Sequence, residues 1–591
     1  MRPDTRRSLV DVVRDRAEAQ ADERAYTFLD AGEAEGGRLT WAELDRRSRA
    51  IGAALARRAP SQSRVLLMFP PGLDFIPAFF GVLYAGMMAV PTYPPTGGRL
   101  DRTVARLGGM AADADIALVL APAAVRDHAA ALEGLVPELR GIAWLAIEEV
   151  PDAMADGWAD PECGDGIALL QYTSGSTAVP RGVMVSHRNL LHNLAHSAAI
   201  AGHGAASVSV SWLPVNHDMG LIDGVLQPAF SGFPAYLMAP TAFLQRPLRW
   251  LQSISRLRAT HSGGPNFAFD LCVRRVPAEA RPALDLSSWH IAFNGSEPVR
   301  LATLQAFQRA FGECGFRWDA CRPAYGLAES TLLVTASGPG DGPAWIAADP
   351  DALTRGLLSP TATGSPNSIP LVSSGALDDQ SRLIVVDPVA CTQLAPGRVG
   401  EIWVAGQSVA LGYWRRPADT LATFGAVLAD TGEGPFLRTG DLGAVCDGRL
   451  FVTGRIKDIL IIRGLKHYPH DLEQTAERAH PALRIGCCAA FATSPPADEG
   501  VTILAEIDAR PIGGQLTAAS LGAVLIAIRR AVADSHQVAL AGVALVPAGS
   551  LPKTTSGKLQ RYLCRDAFAA GGLQILDQWT DEPTRVEGWA S

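Results

Sequence analysis

Apolar positions along the chain follow two rhythms, and the rhythms alternate. Thr40-Trp41-Ala42-Glu43 has the spacing of a capping box, in which hydroxyl and carboxylate satisfy the free amides of a helix start. Leu44, Ile51 and Leu55 then recur near the helical period, which predicts an amphipathic helix packed on a sheet. Gly166 to Tyr172 is a short apolar strand running into a Ser/Thr/Gly loop. Met184 and Val185 predict the next strand, with Ser186 capping a helix through Asn189 and Leu194. The most apolar run, Phe75 to Val90, contains Pro77 and Gly81 and reads as a buried helix. Its 16 residues fall short of the ~20 that span a bilayer. Strand-like and helical runs in alternation predict an α/β architecture.

Two departures interrupt this order. Gly338 to Ser374 is rich in Pro, Gly and Ser, with a short helical piece near Ala352 to Leu358, and reads as a surface insertion. Beyond Asp458 the chain changes character. Pro469 suits a first helical turn, and Asp471 and Glu473 suit the positive end of its dipole. Strand-like Val501 to Ile507, a helix around Leu521 to Val532 and strand-like Val543 to Val546, ended by Pro547, complete a small α+β unit. The expected division is therefore a large domain over 1–457, carrying the 338–374 insertion, and a small domain over 458–591. A length of 591 residues exceeds a single core and agrees with it.

Composition narrows the classes. Hydrophobic residues at 48% and charged ones at 19% describe a folded chain. A formal net charge of -8 argues against a nucleic-acid partner. Nine cysteines, an odd number without a C-x-x-C pair, give neither a disulfide framework nor a structural zinc site. Met1 to Arg16 lacks the apolar stretch of a signal peptide. No membrane span and a cytoplasmic location are expected.

The sharpest chemical signal is Tyr172-Thr173-Ser174-Gly175-Ser176-Thr177, followed by Pro180-Arg181-Gly182. Small hydroxyl residues and a glycine let amides and hydroxyls converge on phosphate oxygens. No Gly-Lys-Ser/Thr follows, so this is no Walker loop. By itself such a stretch is also an ordinary flexible loop. The segment resembles the phosphate-binding motif of the adenylate-forming superfamily, which comprises acyl-CoA synthetases, peptide-synthetase adenylation domains, luciferases and fatty acyl-AMP ligases. Five further motifs follow in that superfamily's order: Asn294-Gly295-Ser296-Glu297-Pro298, Tyr325-Gly326-Leu327-Ala328-Glu329, Arg438-Thr439-Gly440-Asp441, Gly454-Arg455-Ile456-Lys457-Asp458, and Pro552 to Lys558. Together they span nearly the whole chain.

The resemblance implies a large multi-subdomain N-terminal domain and a small mobile C-terminal one. It also implies ATP as co-substrate with Mg²⁺. Tyr325 offers a ring for stacking adenine, whose edge the backbone of Asn294, Gly295, Ser296 and Gly326 borders. Glu329 supplies a hard oxygen for Mg²⁺. Asp441 and Arg455 suit the ribose hydroxyls. Lys558 is the expected catalytic cation, delivered by the small domain about a hinge at Asp458 to offset charge as a carboxylate attacks the α-phosphate. Chemically, each of these also has an ordinary use as a core tyrosine, a turn aspartate or a solvated lysine.

Trp212-Leu213-Pro214 with His217-Asp218-Met219-Gly220-Leu221, Ser262 to Ala268, and Arg463 to Pro469 are similar to fatty acyl-AMP ligases in particular, and the 338–374 tract falls where that branch carries its extra segment. This implies fatty acid as substrate and a holo acyl carrier protein, acting in trans, as acceptor. His217 is a candidate to orient the substrate carboxylate; Met219 and Phe267 are candidate walls of an acyl tunnel. Ala178 and Arg181 stand where many members have Gly and Lys. An acyl-CoA synthetase and a nucleotide-binding scaffold without activity remain as alternatives. Coenzyme A set beside holo-carrier separates the first; acyl-AMP formation across an acid panel separates the second.

Overall fold

The computed structural model describes residues 7–95, 100–161, 164–173, 180–340, 342–365, 368–462, 465–492, 500–508, 516–536, 538–553 and 559–581. Two sheets organise the large N-terminal domain. The first has six strands in the order 143–146, 118–121, 64–68, 88–92, 167–173, 181–186, parallel except for the last pair. The second has eight, in the order 333–336, 321–326, 291–294, 261–264, 209–211, 235–238, 24–30, 34–40, with antiparallel strands only at its two edges. Parallel strands need helical crossovers, and these cover the sheet faces.

Local signals explain much of this. The helix Trp41–Ala56 begins with the Thr40/Glu43 capping box and buries Leu44, Ile51 and Leu55 completely. The helix His187–Ala201 starts on Ser186, whose hydroxyl accepts from the Asn189 amide. The apolar run from Phe75 departs from expectation. It is a helix only over Phe75–Tyr84, every residue of which is buried; the chain then turns at Gly86 (φ +66°) and becomes the strand Met88–Thr92. A fully apolar run carries no periodicity, so it hides the switch from helix to strand.

A four-stranded antiparallel sheet (382–386, 400–405, 437–446, 449–455) follows the eight-stranded one. The 338–374 tract is more than a surface excursion. It holds a hairpin, Trp345–Ala348 with Ile369–Val372, and the helix Pro350–Thr354. Buried Ala348, Leu353, Leu358 and Leu371 form one cluster with Leu442, Ala444, Phe451 and Tyr468. The tract thus packs on the four-stranded sheet and on the start of the small C-terminal domain.

That small domain has a four-stranded sheet, 483–492, 501–507, 540–547 and 577–580. Its central strands are parallel and linked by the helix Ala518–His536, as the apolar pattern predicts. Pro469 occupies the first turn of the helix Pro469–Arg478. Among the described residues no helix is long and apolar enough to cross a membrane.

One aromatic cluster supports the strands that carry the Asn294 motif. Trp289 is fully buried, contacts the rings of Trp250, Phe269, Phe307 and Phe316, and donates Nε1–H to the Ile291 carbonyl at 2.9 Å. Trp289→Ala should therefore cost about 3–5 kcal/mol in urea unfolding followed by circular dichroism; a loss below about 1 kcal/mol contradicts this packing.

Candidate active site

Asp441 is the centre to which three of the motifs converge. Its strand, Leu437–Cys446, pairs antiparallel with Arg449–Arg455 so that Asp441 and Arg455 are direct partners. Arg455 Nε donates to Asp441 Oδ1 at 3.0 Å, and Tyr325 Oη, from the eight-stranded sheet, donates to Oδ2 at 2.9 Å. Asp441 is only 6% exposed, whereas the Arg455 side chain is open to solvent. Burial and the neighbouring Asp441 charge push the Tyr325 phenol well above its ordinary range, so it stays a donor.

The turn before Asp441 has its own anchor. Glu401, buried in the strand Gly400–Ala405, accepts from Arg438 Nη2 at 2.7 Å and from the Gly440 amide at 3.2 Å. Gly440 has φ +71°, a left-handed conformation that favours glycine. Glu401 belongs to none of the sequence motifs; an acidic residue inside an otherwise apolar strand is the signal that marks it.

Asn294 ends the strand Ile291–Asn294, with its side-chain amide buried and without a hydrogen-bond partner among the described residues. Gly295 follows where a Cβ would come within 2.8 Å of the Ala324 carbonyl oxygen. Ser296 has φ +71°, a strained conformation for serine of the kind that gathers at functional sites. Gly326 is equally constrained, since a Cβ there would meet the Leu332 oxygen at 1.8 Å.

Glu329 Oε1 accepts from Tyr413 Oη at 2.9 Å, and burial raises its carboxyl above the usual range. The Tyr413 ring lies 5.3 Å under the Arg181 guanidinium. Backbone pairing of Gly182 and Met184 with residues 411–414 brings the phosphate-motif flank beside Glu329. No motif in the sequence marks Tyr413, although Glu329, its partner, lies in one. Thr173 ends the strand Ile167–Thr173; Ser174, Gly175, Ser176 and Thr177 lie outside the described residues. On the same strand Tyr172 Oη donates to Asp113 Oδ2 at 2.7 Å, and Arg416 Nη2 donates to Oδ1 at 2.7 Å.

His217 Nδ1 lies 2.6 Å from Asp218 Oδ1, in the segment that opens a π-helical turn, Met219–Leu226. Gln171 Nε2 donates to the Asn216 carbonyl, which ties this segment to the phosphate-motif strand. Asp458 Oδ2 accepts from Arg561 Nη1 at 2.8 Å. Lys558 lies outside the described residues; Lys553 and Leu559, on either side of it, pair across an antiparallel bridge.

Gly295, Ser296, Tyr325, Gly326 and Asp218 border one cavity, whereas Asp441, Arg455, Glu329 and His217 are not among its lining residues. Ile291, Phe293 and Gly295 line it from one strand, and Arg322, Ala324 and Gly326 from the next. Alternate residues of a strand share a face, and this face is covered by Ser197, Ile200 and Ala201 of the helix above. Ser296, Tyr325 and Met219 line the cavity too. Phe267 is not among its lining residues. It accepts an edge-on contact with Trp212 at 6.0 Å, and its amide donates to Glu297 Oε1.

Known proteins resemble this chain over nearly its whole length. The AMP-binding enzyme family matches residues 13–414, and the AMP domain of Disco-interacting protein 2-like proteins matches residues 457–578. A medium-chain-fatty-acid–[acyl-carrier-protein] ligase of Moorena producens is 43% identical over 97% of this chain and 96% of its own. A long-chain-fatty-acid–AMP ligase of Mycolicibacterium smegmatis is 36% identical over 97% and 96%. The solved fatty acyl-adenylate ligase of Legionella pneumophila, in complex with acyl adenylate and pyrophosphate, is 38% identical, covers 98% of both chains and has a TM-score of 0.74. The chain belongs to the AMP-binding, adenylate-forming enzymes, within their fatty acyl-AMP ligases.

Proposed function

We propose that the protein activates a fatty acid with ATP and passes the acyl group to the phosphopantetheine thiol of an acyl carrier protein. The observation that carries this reading is a single cavity with two kinds of wall. Gly295, Ser296 and Tyr325 border one end, and apolar Ile200, Phe293 and Leu332 line its depth. A nucleotide at the first and an acyl chain in the second put a carboxylate beside an α-phosphate. The names of the Moorena and Mycolicibacterium relatives support the same chemistry.

In the first step a carboxylate oxygen bonds to the α-phosphorus of ATP, and the bond to pyrophosphate breaks. Two anions are brought together, so holding them in line and offsetting their charge are the main tasks. Asp441 and Arg455 would hold the ribose, Tyr325 would stack on adenine between Gly295, Ser296 and Gly326, and Thr173 to Thr177 would cradle phosphate oxygens. His217 would orient the carboxylate. Lys558 is the cation assigned to the transition state, brought in as the small domain, from Asp458 onward, rotates on the domain ending at residue 457. Met219 would wall the acyl chain near its head; Phe267, in the same core cluster, acts only through its neighbours.

Glu329 suits Mg²⁺. Its carboxylate is hard, is destabilised by burial, and is oriented by Tyr413 and by its own backbone amide. Mg²⁺ held by Glu329 would supply positive charge to offset that of the phosphates. In the second step the carrier's thiolate attacks the anhydride carbonyl and AMP leaves. Such an ATP-dependent enzyme and its carrier would meet in the cytoplasm.

Lys558→Ala should lower ATP–pyrophosphate exchange by about 10²–10³-fold; unchanged exchange removes Lys558 from the mechanism. Chelation of Mg²⁺ should abolish exchange and its return restore it, whereas exchange persisting in chelator excludes the metal role of Glu329. Given coenzyme A and holo-carrier together, acyl-carrier should dominate by mass spectrometry. Rapid acyl-CoA formation would instead mark an acyl-CoA synthetase.

A further inference from the structure

The far end of the cavity is not apolar. His203 Nε2 lies 3.0 Å from His261 Nδ1, and His261 Nε2 lies 2.9 Å and 3.1 Å from the two oxygens of Asp223. All three residues line the cavity. They come from separate elements: Asp223 from the π-helical turn, His261 from the start of its strand, His203 from the loop after the covering helix. In the sheet register His261 is level with Ile291, four residues before Gly295. At ~3.3 Å per residue this sets the relay ~13 Å from the nucleotide end.

The relay has a direction. A carboxylate only accepts, so Asp223 takes the Nε2–H of His261. In the Nε2–H tautomer that Asp223 holds, His261 accepts at Nδ1 from the Nε2–H of His203, and His203 is left with Nδ1 as an acceptor. That atom is buried and has no hydrogen-bond partner among the described residues. Burial, with His261 alongside, lowers the His203 pKa to about 2, so the ring does not gain a proton to become a donor. In an apolar tunnel this lone pair costs free energy until a donor meets it, and a ligand hydroxyl is such a donor.

We propose that this end of the cavity is a subsite for a hydroxyl group, and that the preferred acid carries one far from its carboxylate. This rests on reading the cavity as the acyl pocket. The Ser296 edge, at the other end, is shared by every acid; the relay distinguishes among acids.

The test compares ATP–pyrophosphate exchange by the full chain with sets of acids matched in length: unsubstituted, ω-hydroxy and ω-carboxy. The measured quantity is the ratio of kcat/KM values, which folding losses do not alter. At the best chain length the ω-hydroxy acid should exceed the unsubstituted one by roughly tenfold or more. His203→Phe should bring that ratio towards one. Asp223→Ala, which removes the acceptor that orients His261 and through it His203, should lower it too. An unsubstituted acid preferred at every length, or a ratio unmoved by both variants, overturns the proposal. So does a preference for the ω-carboxy acid, which would assign the subsite to the Arg322 charge on the same wall. Exchange with none of the acids would contradict adenylation itself, a failure distinct from equal use of all three.

Discussion

A buried carboxylate joins two sheets, and the site is organised around it. Asp441 is withdrawn from water, so its charge is tolerable only while donors surround it. One donor, Tyr325, belongs to the eight-stranded sheet, and the other, Arg455, to the four-stranded sheet that leads into the small domain. Glu401 repeats the device one layer back by holding Arg438 and Gly440. Three motifs far apart in sequence are thereby held within hydrogen-bond distance. A ribose approaching Asp441 would meet a carboxylate already oriented by two donors.

The same economy governs the passage to the small domain. Arg561, three residues beyond Lys558, bridges Asp458 and Glu473, and Arg300 from the large domain pairs with buried Glu477 at 3.0 Å. Tyr468, ten residues past Asp458, shares a hydrophobic cluster with the 338–374 tract. Breaking and remaking such contacts gives any rotation of the small domain discrete stopping points, because packed interfaces are bistable rather than soft.

How much of this the sequence discloses depends on how local the cause is. The Thr40 and Ser186 caps, Pro469 and the strand Val501–Ile507 are set by neighbours, and each is where the pattern predicts it. The run from Phe75 to Val90 misleads because uniform apolarity lacks a period. The 338–374 tract misleads differently: its apolar residues are few and scattered, and their partners, Leu442 and Tyr468, lie about a hundred residues on. In the site, ordered motifs announce Asp441, Tyr325 and Glu329, yet nothing local pairs Glu329 with Tyr413 or Asp223 with His261 and His203. Those pairings arise from register across strands and a π-helical turn, which no spacing along one segment encodes.

The central claim is that one nucleotide-plus-acyl ligand spans from Asp441 and Tyr325 into the cavity beneath the His187–Ala201 helix. A crystal structure with a non-hydrolysable acyl-adenylate analogue tests it most directly. The account predicts ribose oxygens on Asp441, adenine against Tyr325, and the chain running past Phe293 towards His261. An adenosine bound away from Asp441, or an acyl group directed out of this cavity, would contradict it.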